Sequence, residues 1–246
     1  MRKILAAFIF LFCGFFSICI TITGYTQTVF EIEYPEDFEK PMETTPESTI
    51  EDSTEPSYDF GSIATDYFAL KQINEETVGW LNMPNICYYP IMYSGDTKYL
   101  HLDVYGNYKY AGSLFMGANS RGSFENMALL YGHHMRDGSM FAGLKLYKNE
   151  SFFNNNELIE VFDGEYLYKY KVYTILNIVD GKEFINQDPD SEERVDYFKS
   201  LYNRSLVKGE EPDYEAQMLF FQTCDYLGYD NCRLVVGSYL VEKIKY

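Results

Sequence analysis

The sequence predicts a mainly β fold, a closed or nearly closed β-barrel with appended helices. Aromatic residues make up 18% of the 246 positions and are mostly Tyr and Phe, side chains that pack well on a pleated sheet. From Tyr88 onward, short aromatic and β-branched runs are broken by Gly, Asn and Asp, which is typical of strands joined by turns. The expected order is N-terminal helices, many strands, one inserted helix and two last strands.

Two apolar patterns at helical spacing predict the helices. The first pattern predicts one or two short helices that lead into Trp80, and its members are Ile63, Tyr67, Leu70, Ile73 and Val78. The second follows Asp190, a suitable N-cap with Glu193 three residues on. Its apolar stripe consists of Val195, Phe198, Leu201 and Tyr202.

The clearest strand runs from Tyr166 to Val179, because its apolar residues alternate with a period of two. The residues expected to share one face are Tyr166, Tyr168, Tyr170, Val172, Leu176 and Ile178. Residues 217–223 and 233–241 are predicted to form the last two strands.

The N-terminal run 4–22 has no charged residue and follows Arg2 and Lys3. About 20 apolar residues span a bilayer, and flanking positive charge keeps that end in the cytoplasm. We therefore expect a single-pass protein of the cell membrane with its N-terminus in the cytoplasm and its catalytic domain outside the cell. A cleaved signal peptide is the alternative, but the run is longer than an ordinary signal core and lacks a small-x-small cleavage site.

A lipoprotein signal that uses Cys13 or Cys19 is disfavoured, because Phe12 and Ile18 stand where a small residue is needed.

An acidic stretch follows the apolar run. Residues 30–60 hold eleven acidic side chains against Lys40 alone, with four prolines among them. A segment this polar and self-repelling buries too little apolar surface to fold, so it is predicted to be a linker. The expected domains are a cytoplasmic stub and transmembrane anchor at 1–29, the linker at 30–60 and an extracellular domain at 61–246.

The charge and cysteine content narrow the function. A net charge of −17 excludes nucleic acid as a partner, because binding to phosphates needs clustered Lys and Arg.

The outer domain has three cysteines, Cys87, Cys224 and Cys232. One of them is therefore unpaired, and a Cys87–Cys232 disulfide that leaves Cys224 reactive is one possibility.

Cys224 and Arg233 are predicted to face each other. An apolar run ends in Thr223-Cys224, a turn-rich stretch follows, and Arg233 opens the next apolar run. If the runs pair as a hairpin centred on Gly228-Tyr229, positions 224 and 233 lie opposite each other on one face. An arginine there can stabilise a thiolate and donate to an oxyanion; the alternatives are a structural cysteine and a solvated charge.

His133 and His134 supply the third group. Neighbouring residues of a strand point to opposite faces, so one of the two histidines can face the cysteine. A metal site is not expected, because no further ligands stand at a suitable spacing. A proton donor or base for the thiol fits better than a surface pair of histidines.

These residues resemble the sortases. The match rests on Tyr131-Gly132-His133-His134, then Thr223-Cys224, then Arg233 within Cys232-Arg233-Leu234-Val235-Val236. Three further stretches resemble class B: Val78-Gly79-Trp80-Leu81 with Pro84, Ala111-Gly112-Ser113-Leu114-Phe115, and Arg136-Asp137-Gly138-Ser139-Met140-Phe141. The likeness covers residues 63–241. One departure is Phe220-Phe221-Gln222-Thr223-Cys224, where the family typically has Thr-Leu-x-Thr-Cys.

The resemblance implies a sortase-type barrel with class B helices, in a Gram-positive type of cell envelope. It implies that Cys224 attacks the bond after the Thr of a C-terminal sorting signal, that His133 moves the proton, and that Arg233 steadies the oxyanion. The acceptor is expected to be an amine of a cell-wall peptide precursor. No cofactor is expected.

Two other functions stay open at this point. A cysteine hydrolase of wall peptides would use the same Cys and His but pass the acyl group to water. Papain-like hydrolases usually place the Cys before the His, however, and here His133 precedes Cys224. A non-catalytic surface-binding module would lose nothing when Cys224 is alkylated.

Overall fold

The computed structural model of the protein describes residues 19–22, 25–32, 60–179, 185, 192–224 and 232–246. Its helices in these ranges are α1 (Gly61–Ile73), α2 (Glu150–Asn155) and α3 (Arg194–Asn203). Its strands are β1 (Cys19–Ile22), β2 (Tyr25–Val29), β3 (Thr77–Met83), β4 (Cys87–Met92), β5 (Leu114–Met116), β6 (Met127–Tyr131), β7 (Leu158–Phe162), β8 (Tyr166–Val179), β9 (Met218–Cys224) and β10 (Cys232–Lys245).

Eight of the strands close into a barrel. They follow the order β4-β3-β7-β8-β10-β9-β6-β5, and β5 pairs back onto β4 through Ile91 and Leu114. Most pairs are antiparallel, but β6 runs parallel to β9 and β4 runs parallel to β5. The prediction of a mainly β, closed barrel with a few helices is confirmed.

A bulge in β8 shifts its alternation. Gly237 of β10 pairs with Thr174 and Ser238 pairs with Val172, so Tyr173 is an extra residue between two ladder positions. Before the bulge, Tyr170 and Val172 belong to the central core. After it, Leu176 and Ile178 belong to a second apolar cluster that α3 covers. The prediction that all of these residues share one face is therefore wrong, because the extra residue inverts the two-residue period.

The first helix is shorter than its apolar spacing suggested. Helix α1 ends at Ile73, and Asn74 is extended and caps the helix through its backbone N–H to Leu70. The Asn74 side chain also donates to the Val104 carbonyl, which fixes the exit of the chain. Val78 lies in β3, so its assignment to a helix was wrong. Val78 lies five residues after Ile73, whereas neighbours on one face of a helix are three or four residues apart.

The late helix is present as α3, with Phe198 and Leu201 buried beneath it. Its proposed N-cap, Asp190, lies outside the described residues. Arg194 opens the helix and donates to the carbonyls of Tyr214 and Ala216, which joins α3 to the start of β9. The helix thereby covers the outer face of the barrel wall.

Residues 28–30, at the junction of the predicted anchor segment and the acidic stretch, also contact the barrel. Strand β2 lies parallel to the beginning of β4, where the three-residue β5 does not reach. The backbone N–H of Phe30 donates to the Tyr88 carbonyl, and the Phe30 ring meets the buried Trp80 edge to face at 6.0 Å. In the ranges that the structure describes, no helix is long and apolar enough to cross a membrane. Of the segment predicted to be the anchor, residues 19–22 form β1 and residues 25–29 form β2. Residues 4–18 of the predicted anchor and residues 33–59 of the predicted linker lie outside the described ranges.

Candidate active site

The parallel pairing of β6 and β9 creates the site. Tyr131, the last residue of β6, pairs with Gln222 of β9, two residues before Cys224. Because parallel strands end at the same rim of a barrel, the segment after β6 lies beside the end of β9. This topology brings the two histidines next to the cysteine, although about 90 residues separate them in sequence.

Cys224 and Arg233 are directly opposed, as the symmetry of the hairpin predicted. They form the first pair in the ladder between β9 and β10. The Nη1 atom of Arg233 lies 3.4 Å from Sγ of Cys224 and donates to it. The centre of the predicted turn, Gly228-Tyr229, lies outside the described residues. The pairing of β9 with β10 therefore places the Arg233 guanidinium beside the Cys224 sulfur.

Burial distinguishes Cys224 from the other thiols. Cys87, Cys224 and Cys232 all hold reduced thiols, so the Cys87–Cys232 disulfide that the sequence allowed is not formed. Cys87 and Cys232 are buried, whereas Cys224 is partly exposed. Burial raises the pKa of the Cys87 thiol far above its ordinary value, which keeps it protonated and unreactive. Cys224 is thus the thiol of the outer domain that a substrate can reach.

His133 is held by a neighbouring segment, not by the cysteine. Its Nε2 atom donates to the Leu100 carbonyl at 3.0 Å. Its ring stacks with His101 at 5.5 Å and with Tyr110 at 5.7 Å. Within the described residues, no hydrogen bond joins His133 to the Cys224 thiol, which suits a group that meets its partner through bound substrate.

The pKa of His133 is lowered from its ordinary value. The main cause is desolvation by burial, and the hydrogen bond to the Leu100 carbonyl partly opposes it. A weaker cause is the repulsion of a second positive charge at His101. The neutral imidazole is therefore favoured at neutral pH, a state that can accept a proton from an amine.

His134 contacts the backbone of the cysteine. Its Nδ1 atom donates to the Cys224 carbonyl at 2.9 Å. Both histidines follow the end of β6 and are not within the strand, and His134 forms an isolated bridge with Met140. The premise that the pair lies within a strand was therefore wrong: His134 holds the end of β9, and His133 lies against residues 100–110.

Two glycines allow this packing. A Cβ on Gly132 would lie 2.5 Å from Leu114 and 2.7 Å from Phe141, so a larger residue would push the histidines away from the barrel. Gly112 has φ near +57°, and a Cβ there would lie 2.4 Å from the Leu100 carbonyl oxygen, the acceptor for His133. These contacts give a physical reason for the Gly132-His133 and Ala111-Gly112-Ser113 stretches quoted above.

The chemistry of the site follows from these groups. It combines a reachable thiol, a cationic donor fixed against that thiol, and an imidazole able to exchange protons. Among the described residues, no group of three His, Cys, Asp or Glu side chains could hold a metal ion.

The sequence indicated Cys224, Arg233 and His133 as site residues. It did not reveal the contacts of Leu100, His101 and Tyr110, which no local spacing connects with His133.

Comparison with known proteins places this geometry in context. No family model matches the chain. The chain is similar to the sortase B of Listeria monocytogenes, with 26% identity over 189 residues, 74% of this chain and 77% of the relative. It is also similar to the crystal structure of Bacillus anthracis sortase B, with 31% identity and a TM-score of 0.64, over 76% of this chain and 89% of the other. A Staphylococcus aureus sortase B–substrate complex shares the fold, with 22% identity and a TM-score of 0.66, over 73% and 86% of the two chains.

Proposed function

Because the chain belongs to the class B sortases and is a cysteine transpeptidase, we propose that Cys224, His133 and Arg233 carry out its reaction. The observation that carries this assignment is the Arg233–Cys224 pair, whose atoms lie 3.4 Å apart at the rim where β6 and β9 end. The pair combines a nucleophile with a donor suited to an oxyanion.

The first step forms a thioester. The Cys224 thiolate attacks the carbonyl carbon of the peptide bond after the Thr of a C-terminal sorting signal. As the tetrahedral intermediate collapses, the C–N bond breaks and His133, in its protonated form, gives a proton to the leaving amine. Arg233 donates hydrogen bonds to the oxyanion, and its charge balances the thiolate before attack.

The second step transfers the acyl group. An amine of a cell-wall peptide precursor attacks the thioester carbon while neutral His133 accepts its proton. The C–S bond then breaks and the Cys224 thiolate is restored. The desolvation that lowers the pKa of His133 favours the neutral base for this step. The two steps need no cofactor.

The family supports a cell-surface enzyme that binds a sorting-signal peptide. We propose that the run 4–22 anchors it as a single-pass membrane protein, with the barrel outside the cell. Two features of that run support this orientation: it has no charged residue, and it follows Arg2 and Lys3. The barrel would then lie where anchored substrates and wall precursors meet.

The test is to incubate the protein with a library of sorting-signal peptides, with and without an amine acceptor. Wild type should form a thioester that mass spectrometry detects, and product should depend on the acceptor. Cys224→Ala should form neither. Cys232→Ala is the matched control, because this buried thiol stands beside Arg233 yet should leave the rate nearly unchanged.

Two results would contradict the proposal. Thioester formation by Cys224→Ala would show that Cys224 is not the nucleophile. Release of the acyl group to water at the same rate with and without amine would identify a hydrolase instead of a transpeptidase.

A further inference from the structure

Three contacts of the His133 ring in the described part of the chain come from residues 100–110. The Leu100 carbonyl accepts from Nε2 at 3.0 Å. The His101 ring lies at 5.5 Å with an angle of 29° between the two planes, and the Tyr110 ring lies at 5.7 Å with an angle of 14°. The nearly parallel Tyr110 ring therefore covers the imidazole and restricts its rotation.

The hydrogen bond to Leu100 fixes which nitrogen can react. A carbonyl oxygen only accepts, so Nε2 carries a hydrogen both in the neutral ring and in the imidazolium. Nδ1 is then the nitrogen that gains and loses the proton. A ring that turned over about the Cβ–Cγ bond would exchange Nδ1 with Cδ2 and Nε2 with Cε1. It would lose the hydrogen bond to the Leu100 carbonyl and offer the amine a C–H where it needs a lone pair.

We propose that Tyr110 is a positioning residue for the reaction proposed above: its ring holds the His133 imidazole with Nε2 on the Leu100 carbonyl, and so leaves Nδ1 to exchange the proton with the leaving and incoming amines. Tyr110 touches no reacting atom in this scheme. It acts through the orientation of His133.

The exposure of Tyr110 supports a role beyond packing. Its side chain is 66% exposed, so its ring contributes little to the core, and the burial of apolar area does not account for its position. The backbone holds it in place, because the N–H of Lys109 donates to the His101 carbonyl and the N–H of Gly112 donates to the Lys109 carbonyl. The turn thus presents the ring to His133.

Tyr108 provides a matched control on the same segment. It is 76% exposed, and its ring lies 6.2 Å from that of His101, whereas Tyr110 stacks directly on His133. Removing Tyr108 therefore deletes a similarly exposed aromatic ring from the same surface without deleting the ring that stacks on His133.

The first measurement needs no substrate. The chain has three histidines, so the ring nitrogens of the full-length protein can be followed by NMR after ¹⁵N-histidine labelling, with His→Gln variants for assignment. Neutral His133 should show the Nε2–H tautomer. Tyr110→Leu should give a mixture of tautomers and a higher His133 pKa, because the ring becomes better solvated. Tyr110→Phe, which keeps the ring, and Tyr108→Leu should match wild type.

The second measurement is the transfer reaction itself. Tyr110→Leu should lower kcat by about three- to tenfold, the worth of one aromatic contact, with KM for the peptide unchanged. Tyr110→Phe and Tyr108→Leu should keep the wild-type kcat.

The proposal is overturned if Tyr110→Leu keeps both the tautomer and the kcat of wild type, or if Tyr110→Phe is as impaired as Tyr110→Leu. The tautomer decides the matter even if no peptide is transferred. In that case the proposed function fails while the orientation of His133 is still measured.

Discussion

Replacing Arg233 with lysine separates two ways in which this residue can serve the reaction. Lysine keeps the positive charge but replaces the planar fork of donors with a single compact group. If the charge alone matters, lysine should restore much of the rate. If the fork must hold the oxyanion and the substrate, lysine should fail nearly as badly as alanine.

The distance in the structure sets the size of the two outcomes. Nη1 of Arg233 lies 3.4 Å from Sγ of Cys224. A lysine nitrogen falls short by roughly one bond, about 1.3 Å, which places it beyond hydrogen-bonding range. For an effective dielectric of about 20, the attraction to a thiolate changes from about 5 to about 3.5 kcal/mol. That difference corresponds to about a tenfold slower reaction.

Loss of a hydrogen-bond donor to the oxyanion slows the reaction more than this Coulombic effect does. Removing one such donor typically slows an acyl transfer by about 10²–10³. We expect Arg233→Lys to lose about 10²–10³ in the rate of thioester formation, close to the loss in Arg233→Ala. The assay is a single-turnover measurement of the acyl-enzyme by mass spectrometry at saturating peptide. Arg121→Lys, at an exposed arginine, is the matched control and should match wild type.

A loss of only about tenfold in Arg233→Lys, together with a much larger loss in Arg233→Ala, would refute the donor role and leave a purely Coulombic one.

Four further outcomes are expected. His133→Ala should abolish transfer, and His134→Ala should reduce it less, because His134 donates to the backbone carbonyl of Cys224 and not to a reacting group. Steady-state rates compare the two variants, and a more damaging His134→Ala would reverse the assignment. Gly132→Ala should slow transfer at least tenfold, since its methyl group would collide with Leu114 and Phe141 and displace the histidines; unchanged rates would contradict this. Removal of residues 1–60 should lower Tm by roughly 3–10 °C relative to removal of residues 1–24, because the larger truncation exposes the apolar surface beneath Phe30. Equal Tm values by calorimetry would show that β2 does not contribute to the stability of the barrel. As the pH falls below 6.5, the ordinary pKa of histidine, wild type should lose stability relative to His133→Gln. The pKa of His133 is lowered in the folded protein, so the unfolded chain binds more protons in this range. Parallel curves of Tm against pH for the two proteins would contradict this.

The sequence predicted those parts of the fold that depend on local pattern. The register of Arg233 against Cys224 followed from a symmetric hairpin, and β9 and β10 confirm it. The limits of α1 did not follow, because an apolar pattern alone does not show that Asn74 ends the helix and that Val78 belongs to β3.

Other features depend on long-range contacts that no single segment contains. The bulge at Tyr173 lies next to the pair of Thr174 and Gly237, and a Cβ added at Gly237 would collide with Phe220 and Thr174. The ring stack on His133 likewise depends on how the segment that contains Tyr110 folds back over the rim. Alternation and motif spacing describe neighbours along the chain, so they could not indicate either feature.

The docking of Phe30 on Trp80 affects how the protein would respond to proteolytic nicking. Phe60, at the other end of the acidic stretch, also meets the barrel, at the rings of Phe162 and Tyr246. The acidic residues therefore connect two points that are both fixed to the barrel. A protease that cut within them would sever the chain without immediately separating its two pieces. The fragments should co-migrate on a native gel and come apart only when the barrel is denatured.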